Sequence, residues 1–325
     1  MRFTVKSITV LFLTCALYAA GCASEEVTSN TPDPTPVNPF ELQGNWYKAN
    51  FHAHTTTSDG DVDLPTRVEQ YKGAGYSILA VTDHEKTNDV TPFNTNDFLL
   101  ISGMETHPAS PNPDMRFHFV CLNVPLELSF AKETGAEERI KTVLGKGGYV
   151  IAAHPYWCGF TIEELYPLKA YGVNAMEVYN ATCRFCGRDV SSVHWDELLA
   201  KGWRIPALAV DDVHNDSSLH VGWTWVRAEA LTLDAIMAAL KSGAFYASMG
   251  PEFKDVRIQD GVVKVECSPV VKIQFFANAP NGMQVLAKDA PLTMASFEPK
   301  KKLTYVRVEI TDANGKVAWS PALYF

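Results

Sequence analysis

Histidine is absent from the last 105 residues of this 325-residue chain, and Lys plus Arg number 28 against 37 Asp plus Glu. Removing the two cations of the first 21 residues, Arg2 and Lys6, takes the formal net charge from −9 to −11. A basic groove for a nucleic-acid duplex is not expected, because neutralising phosphates takes a local surplus of Lys and Arg. An acidic chain can still bind a phosphate if metal ions supply the positive charge. No apolar stretch reaches the roughly 20 residues of a membrane span, so a polytopic membrane protein is excluded. There is no internal repeat, no heptad run, no Gly-rich phosphate loop after the first expected strand and no serine set in a nucleophile elbow. With 46% apolar and 20% charged residues, the composition is that of a globular protein and excludes disorder throughout.

What is present begins with an address. Arg2 and Lys6 flank an apolar run over 8–20, too short to span a membrane and suited to a signal peptide. The run ends Ala19-Ala20-Gly21-Cys22, which resembles a bacterial lipobox, with Ala19 where Leu is commoner. Cys22 is the expected lipidation site; ordinary signal cleavage nearby is the alternative. Either way the mature protein is expected outside the cytoplasm, in the periplasm or on the cell surface. A lipid anchor would be its only membrane contact. Residues 23–42 carry Pro32, Pro34, Pro36 and Pro39 among small polar residues and read as a tether.

From there to residue 251, strand-like runs at 46–51, 76–81, 98–102, 117–122, 149–153, 175–179 and 205–210 alternate with helical patterns. Asp63 and Pro65 mark one helix start and Gly243 one helix end. Such alternation predicts an α/β fold with a mainly parallel sheet, closed as a distorted TIM-like β/α barrel over 43–251. A doubly wound sheet is the alternative. After Pro251, alternating β-branched runs separated by Asp260-Gly261, Asn281-Gly282 and Asn314-Gly315 predict a small antiparallel β-sandwich over 252–325.

All nine histidines lie between positions 52 and 220, and most fall just past a strand. His52 and His54 follow the first strand, with Asp59 in Ser58-Asp59-Gly60 just beyond. His84 follows the second, Glu105 the third and His154 the strand at 149–153. His118 falls in the strand at 117–122, and Asp212 and His214 follow the strand at 205–210. The C-terminal ends of barrel strands converge on one face, so these imidazoles and carboxylates are expected to meet. Nitrogen and oxygen donors together suit zinc, manganese or iron.

The segments His52-Ala53-His54, Thr82-Asp83-His84, Gly103-Met104-Glu105, Ala153-His154-Pro155 and Asp212-Val213-His214 resemble the PHP (polymerase and histidinol phosphatase) family. The resemblance spans about 46–251 and implies two or three divalent metal ions and phosphoester hydrolysis by a metal-bound hydroxide. On it, His52, His54, Glu105 and Asp212 would hold one ion. Glu105 would bridge to a second with His118 and His154, and Asp59, His84 and His214 would hold a third. Glu105, Asp212 and His214 are the residues expected to act in catalysis. The substrate would be a small phosphomonoester or phosphodiester. A carboxylic or carbamate ester on the same site, or a non-catalytic surface lipoprotein that binds a ligand, are the alternatives.

Some readings stay open. His107 is an alternative to His118, and Asp211 to Asp212. Glu177 is a candidate for contact with the ligands or the substrate, and Arg184 and Arg188 for clamping a phosphate. His194 is expected to be structural and His220 to lie near the cleft. Cys158, Cys183 and Cys186 would form a disulfide if oxidised.

Overall fold

The first expected strand forms as β1 (Asn45–Asn50), and Asp63 caps α1 (Leu64–Gly73) by accepting the Thr66 N–H at 3.0 Å. A computed structural model describes residues 34–278 and 280–325; the leader, Cys22 and most of the tether lie outside the described residues. The tether ends earlier than its composition implies. Pro39 is buried, Asn38 donates to the Val256 carbonyl, and the Phe40 ring packs 5.3 Å from Trp46 and 5.7 Å from Tyr246. One aromatic side chain outweighs the local proline content here, because it has an apolar surface to cover.

The apolar runs β2 (Ile78–Val81) and β3 (Leu99–Thr106) follow, then β4 (Phe119–Leu122), α2 (Ala136–Gly145) and β5 (Tyr149–Ala152). Three one-turn helices, α3 (Pro155–Cys158), α4 (Ile162–Leu165) and α5 (Leu168–Tyr171), precede β6 (Ala175–Asn180). The series closes with α6 (Ser192–Ala200), β7 (Ala207–Val210), β8 (Trp223–Ala228), α7 (Leu233–Ser242) and β9 (Phe245–Ser248). β2, β4, β5, β6, β7 and β9 are buried along their whole length, as strands covered on both faces must be.

The fold is mixed α/β around one large sheet, and its pairing departs from the expected, mainly parallel barrel. The ladders β1–β2, β2–β3, β5–β6 and β6–β7 are parallel; β3–β4, β4–β5, β1–β8 and β8–β9 are antiparallel. The chain turns back between β3 and β4 without a helix, and a parallel pair would need a longer crossover. Among the described residues no ladder joins β7 to β1 or β8. What connects them is sparser: a parallel bridge between Ala53 and Val213, the Asp212 N–H on the His52 carbonyl at 2.9 Å, and the His54 N–H on the Val213 carbonyl at 3.0 Å. These links bring the two richest ligand segments side by side.

The C-terminal strands form as expected in kind. β10 (Phe253–Gln259) and β11 (Val262–Val270) pair, and β14 (Leu292–Phe297) adds to β11. β12 (Lys272–Ala277), β13 (Gly282–Leu286), β15 (Tyr305–Thr311), β16 (Val317–Trp319) and β17 (Leu323–Tyr324) belong to the large sheet. Val256, Val265, Ile273, Phe275 and Val308 share an apolar core across both sheets. β16 pairs with β9 through Ala318–Ser248 and Trp319–Ala247, so the sandwich continues the large sheet across residue 251. Buried Arg307 reinforces the join. It donates to both Asp196 oxygens at 2.6 Å and lies 5.0 Å over the Trp195 ring, both on α6.

Beside the ligand segments, Asp211 is a structural anchor. Its carboxylate is wholly buried and accepts the N–H groups of His220, Val221 and Gly222 at 2.8 Å and the Tyr71 hydroxyl at 2.7 Å. Burial pushes its pKa up to about 6, and those four bonds pull the other way. An Asn there keeps one acceptor oxygen and turns an NH2 group on buried donors. Asp211→Asn is expected to lower stability by about 2–3 kcal/mol, measured by urea unfolding of the metal-free protein. A change under about 0.5 kcal/mol would remove Asp211 from this role.

Candidate metal centre

β3 carries Glu105 into the interior, where it is 1% exposed and its two oxygens face different imidazoles. Oε2 lies 3.3 Å from His52 Nε2, 3.5 Å from His54 Nε2 and 2.9 Å from His84 Nδ1. Oε1 lies 2.8 Å from His118 Nδ1 and 3.4 Å from His154 Nε2. Asp212 Oδ1 completes the first group, 3.1 Å from His52 Nε2 and 3.0 Å from His54 Nε2. Its Oδ2 turns toward His154 Nε2 at 3.9 Å. A third group sits nearer the surface: Asp59, half-exposed, reaches His84 Nε2 at 3.2 Å, His214 Nε2 at 3.5 Å and His54 Nδ1 at 3.7 Å. All nine expected ligands therefore meet, and all fall within groups whose donor atoms could hold a metal ion.

These residues fit divalent ions. Around a tetrahedral ion with bonds of about 2.0–2.1 Å, donors stand about 3.3–3.4 Å apart, close to the 3.0 and 3.1 Å of Asp212 from His54 and His52, three residues whose donor atoms lie near enough to share an ion. Buried His52 Nε2, His54 Nδ1, His84 Nδ1 and His107 Nε2 have no hydrogen-bond partner, an arrangement that is costly without an ion.

The local backbone aims the ligands. His52 and His54 both lie past the end of β1, on an extended stretch whose alternate side chains share a face. Gly60 closes the Asp59 loop against the His54 carbonyl, so tightly that a Cβ would stand 2.5 Å from it. Asp83 fastens the same loop by accepting the Thr55 N–H at 2.8 Å and the Ser58 hydroxyl at 2.6 Å. His154 and Asp212 have φ of 28° and 52°, a region that non-glycine residues rarely occupy and that surrounding bonds must hold. His118 stands one residue before β4, not within a strand as its neighbours imply.

Glu177 lies behind the ligands. Its Oε1 accepts from His52 Nδ1 at 2.7 Å, leaving Nε2 for the centre. Its Oε2 accepts the His154 N–H and the Asn180 amide, both at 2.8 Å, and Asn180 also donates to Asp212 Oδ2 at 3.1 Å. His107 is a neighbour of the centre as well, with Nε2 3.6 Å from Glu105 Oε2. It is set by Glu85, which accepts the His107 N–H at 2.7 Å and is gripped by buried Arg139 at 2.8 and 2.9 Å. Cys158 Sγ lies 3.4 Å from His154 Nδ1, and Cys158, Cys183 and Cys186 are all free, so the disulfide is not formed.

A cavity of about 270 Å³ opens over the centre. Its remaining lining is Trp157, Thr182, Cys183 and Phe185. Arg184 and Arg188 are not on it. Arg184 donates to the carbonyls of Ala181 and Ser217, and Arg188 lies 5.6 Å over the Tyr156 ring. His194 is structural, bonded to the Phe160 carbonyl at 2.9 Å. His220 packs on Tyr71 and Tyr76, away from the cavity. Sequence reasoning passed over Trp157, three residues after His154, and the Glu85–Arg139 pair. Trp157 had a signal in His154-Pro155-Tyr156-Trp157, whereas nothing local points from residue 85 to residue 139.

Among known structures the fold recurs. A two-domain protein from Bacteroides vulgatus, containing a region predicted to be a PHP-like metal-dependent phosphoesterase, superposes with a TM-score of 0.50 at 16% identity, over 89% of this chain and 98% of that one. An amidohydrolase from Chromobacterium violaceum matches with a TM-score of 0.42 at 14% identity, over 53% of this chain and 89% of its own. A protein from Bifidobacterium adolescentis, named for an inferred metal-dependent phosphoesterase activity, gives 0.42 at 17%, over 64% and 98%. No protein-family model and no curated sequence matches the chain. The first likeness shows a shared fold.

Charge in the centre links metal uptake to pH. Burial alone would lower the pKa of His52, but Asp212, Glu177 and Glu105 hold it well above the usual histidine range. Burial likewise disfavours a charged His154, yet Cys158, Glu105 and Glu177 hold it high. Both rings are therefore protonated near neutral pH without metal, and must lose a proton to ligate. Apparent zinc affinity is expected to rise with pH between about 6 and 8, with protons released on binding. Calorimetry in buffers of different ionisation enthalpy reads both. Affinity that is flat with pH and free of proton release would contradict this electrostatic picture.

Proposed function

We propose that the chain is a metal-dependent hydrolase that cleaves a small phosphoester, a monoester or a diester. The observation that carries this reading is Glu105, whose two oxygens face two separate sets of imidazoles. When bound, divalent ions at such a centre lower the pKa of water and offset charge on phosphoryl oxygens. His52, His54 and Asp212 would share the first ion with Glu105, His118 and His154 the second, and Asp59, His84 and His214 the third. The chain's own work is placement. Glu177 fixes the His52 ring and the His154 backbone, Asn180 steadies Asp212, and Trp157 screens one side from water. His214 is held by its Nδ1 on the Asp212 carbonyl at 2.9 Å, which leaves Nε2 to face Asp59 and the third ion.

A carboxylic or carbamate ester is the second reading. It is favoured by the lack of any Lys or Arg on the cavity lining among the described residues. A purely ligand-binding role leaves the complete ligand set unexplained. We also propose, from the Cys22 motif, a lipid anchor facing out of the cytoplasm; Cys22→Ala should release the protein from the membrane fraction, and unchanged fractionation would refute it.

Chelation should abolish hydrolysis of phosphoesters, and manganese or zinc should restore it. Asp212→Asn should lose metal and lower the rate on the order of a thousandfold, read by a phosphatase and phosphodiesterase panel beside elemental analysis. Phosphoester hydrolysis undiminished by chelation would exclude the mechanism. Activity confined to carboxylic or carbamate esters would keep the centre and overturn the substrate class.

A further inference from the structure

The cavity over the centre has lining of two unlike kinds. Asp59, His84 and His214 supply polar lining; Trp157 and Phe185, carried by the segments that follow β5 and β6, supply the aromatic lining. Trp157 meets the rings of His118 and His154 edge-on, with centroids 5.6 and 5.0 Å apart, so its position is tied to the ligands. Phe185 is 77% exposed. It sits on the 3-10 turn Thr182–Cys186, which Thr182 pins by donating to the Asp212 carbonyl at 2.6 Å and pairing with Ser218 at 2.9 Å. A large exposed aromatic ring on an anchored turn, lining the same cavity as a second aromatic, offers an apolar ligand a prepared surface.

Charge narrows the ligand further. Carboxylates line the cavity, and no Lys or Arg does among the described residues. Attraction for an anion therefore rests on the bound ions, which treat small anions much alike. Discrimination among anions falls to the side chains that differ from solvent, Trp157 and Phe185. At about 270 Å³ the cavity is at or below the small end of ligand sites, roughly 300–1,000 Å³, so the group against those rings is small.

Resting on the phosphoester reading above, we propose that the substrate is a small anionic ester bearing one flat apolar ring, with the anion over the centre and the ring against Trp157 and Phe185. The test is calorimetry of phenylphosphonate and methylphosphonate on the full, zinc-loaded chain, wild type and Phe185→Ala. Phe185 is exposed, so its replacement leaves folding and metal content unchanged, which elemental analysis verifies. Phenylphosphonate should bind at least about tenfold more tightly, or about 1.4 kcal/mol. Phe185→Ala should bring that preference within about threefold while methylphosphonate affinity stays as it was. Equal affinities in the wild type, or a preference intact in Phe185→Ala, would overturn the proposal. Binding of neither phosphonate would instead overturn the phosphoester reading, and benzoate against acetate then decides the aromatic lining by the same tenfold criterion.

Discussion

A single buried carboxylate, Glu105, is the constraint around which the centre is arranged. A charge this far from water must be paired, and Glu105 is paired on both oxygens by imidazoles from β-strand ends scattered across the sequence. Burial would raise its pKa, and the cationic ring of His52, with the hydrogen bond to the His118 ring, holds it well below the usual range. The same rings need the carboxylate to be charged. Divalent ions satisfy both requirements at once, because they replace protons on the imidazoles and keep the carboxylates ionised.

Around that core, each ligand has its own support. Glu177 serves two ligands with one carboxylate, Asp83 holds the Asp59 loop, and Asp211 ties the segments beside Asp212 to α1 and to the start of β8. Glu85 and Arg139 fix His107 from the far side, with Glu85 itself at a φ of 52°. Three of the seven non-glycine residues at positive φ among the described residues stand at or beside the centre: Glu85, His154 and Asp212. Their backbone strain is balanced by the bonds that converge on them.

The open ladder between β7 and β1 gives this crowding a place. Regular pairing would leave no room for side chains between the two strand ends. Three backbone links across the gap keep His52, His54 and Asp212 at contact distance instead. The C-terminal strands lie on the other side of the sheet order, joined through β9 and the Arg307–Asp196 pair, and none of their residues reaches the centre. Their contribution is burial of the sheet, and the candidate metal ligands all lie within residues 52–214.

Much of this was legible in the chain alone. Apolar runs locate the strands because burial on both faces demands continuous apolar residues; Asp63 marks a helix start by its capping hydrogen bond, Pro65 by its fixed φ and missing N–H, and Gly243 a helix end by its left-handed φ. The nine candidate ligands were legible because strand ends are short, and polar groups placed there show as His, Asp and Glu beside apolar runs. Pairing was not. Whether β4 runs parallel or antiparallel depends on how the helix-free chain between β3 and β4 turns back, and no periodicity records that. Nor were the distinct duties of Asp211 and Asp212, or the free thiols of Cys158, Cys183 and Cys186. Adjacent carboxylates are alike as sequence; only the fold turns one onto backbone N–H groups and the other onto imidazoles. Residue types and spacing are local properties and survive in the sequence. Partners such as Glu85 and Arg139 are separated by 54 residues, and only three-dimensional packing brings them together.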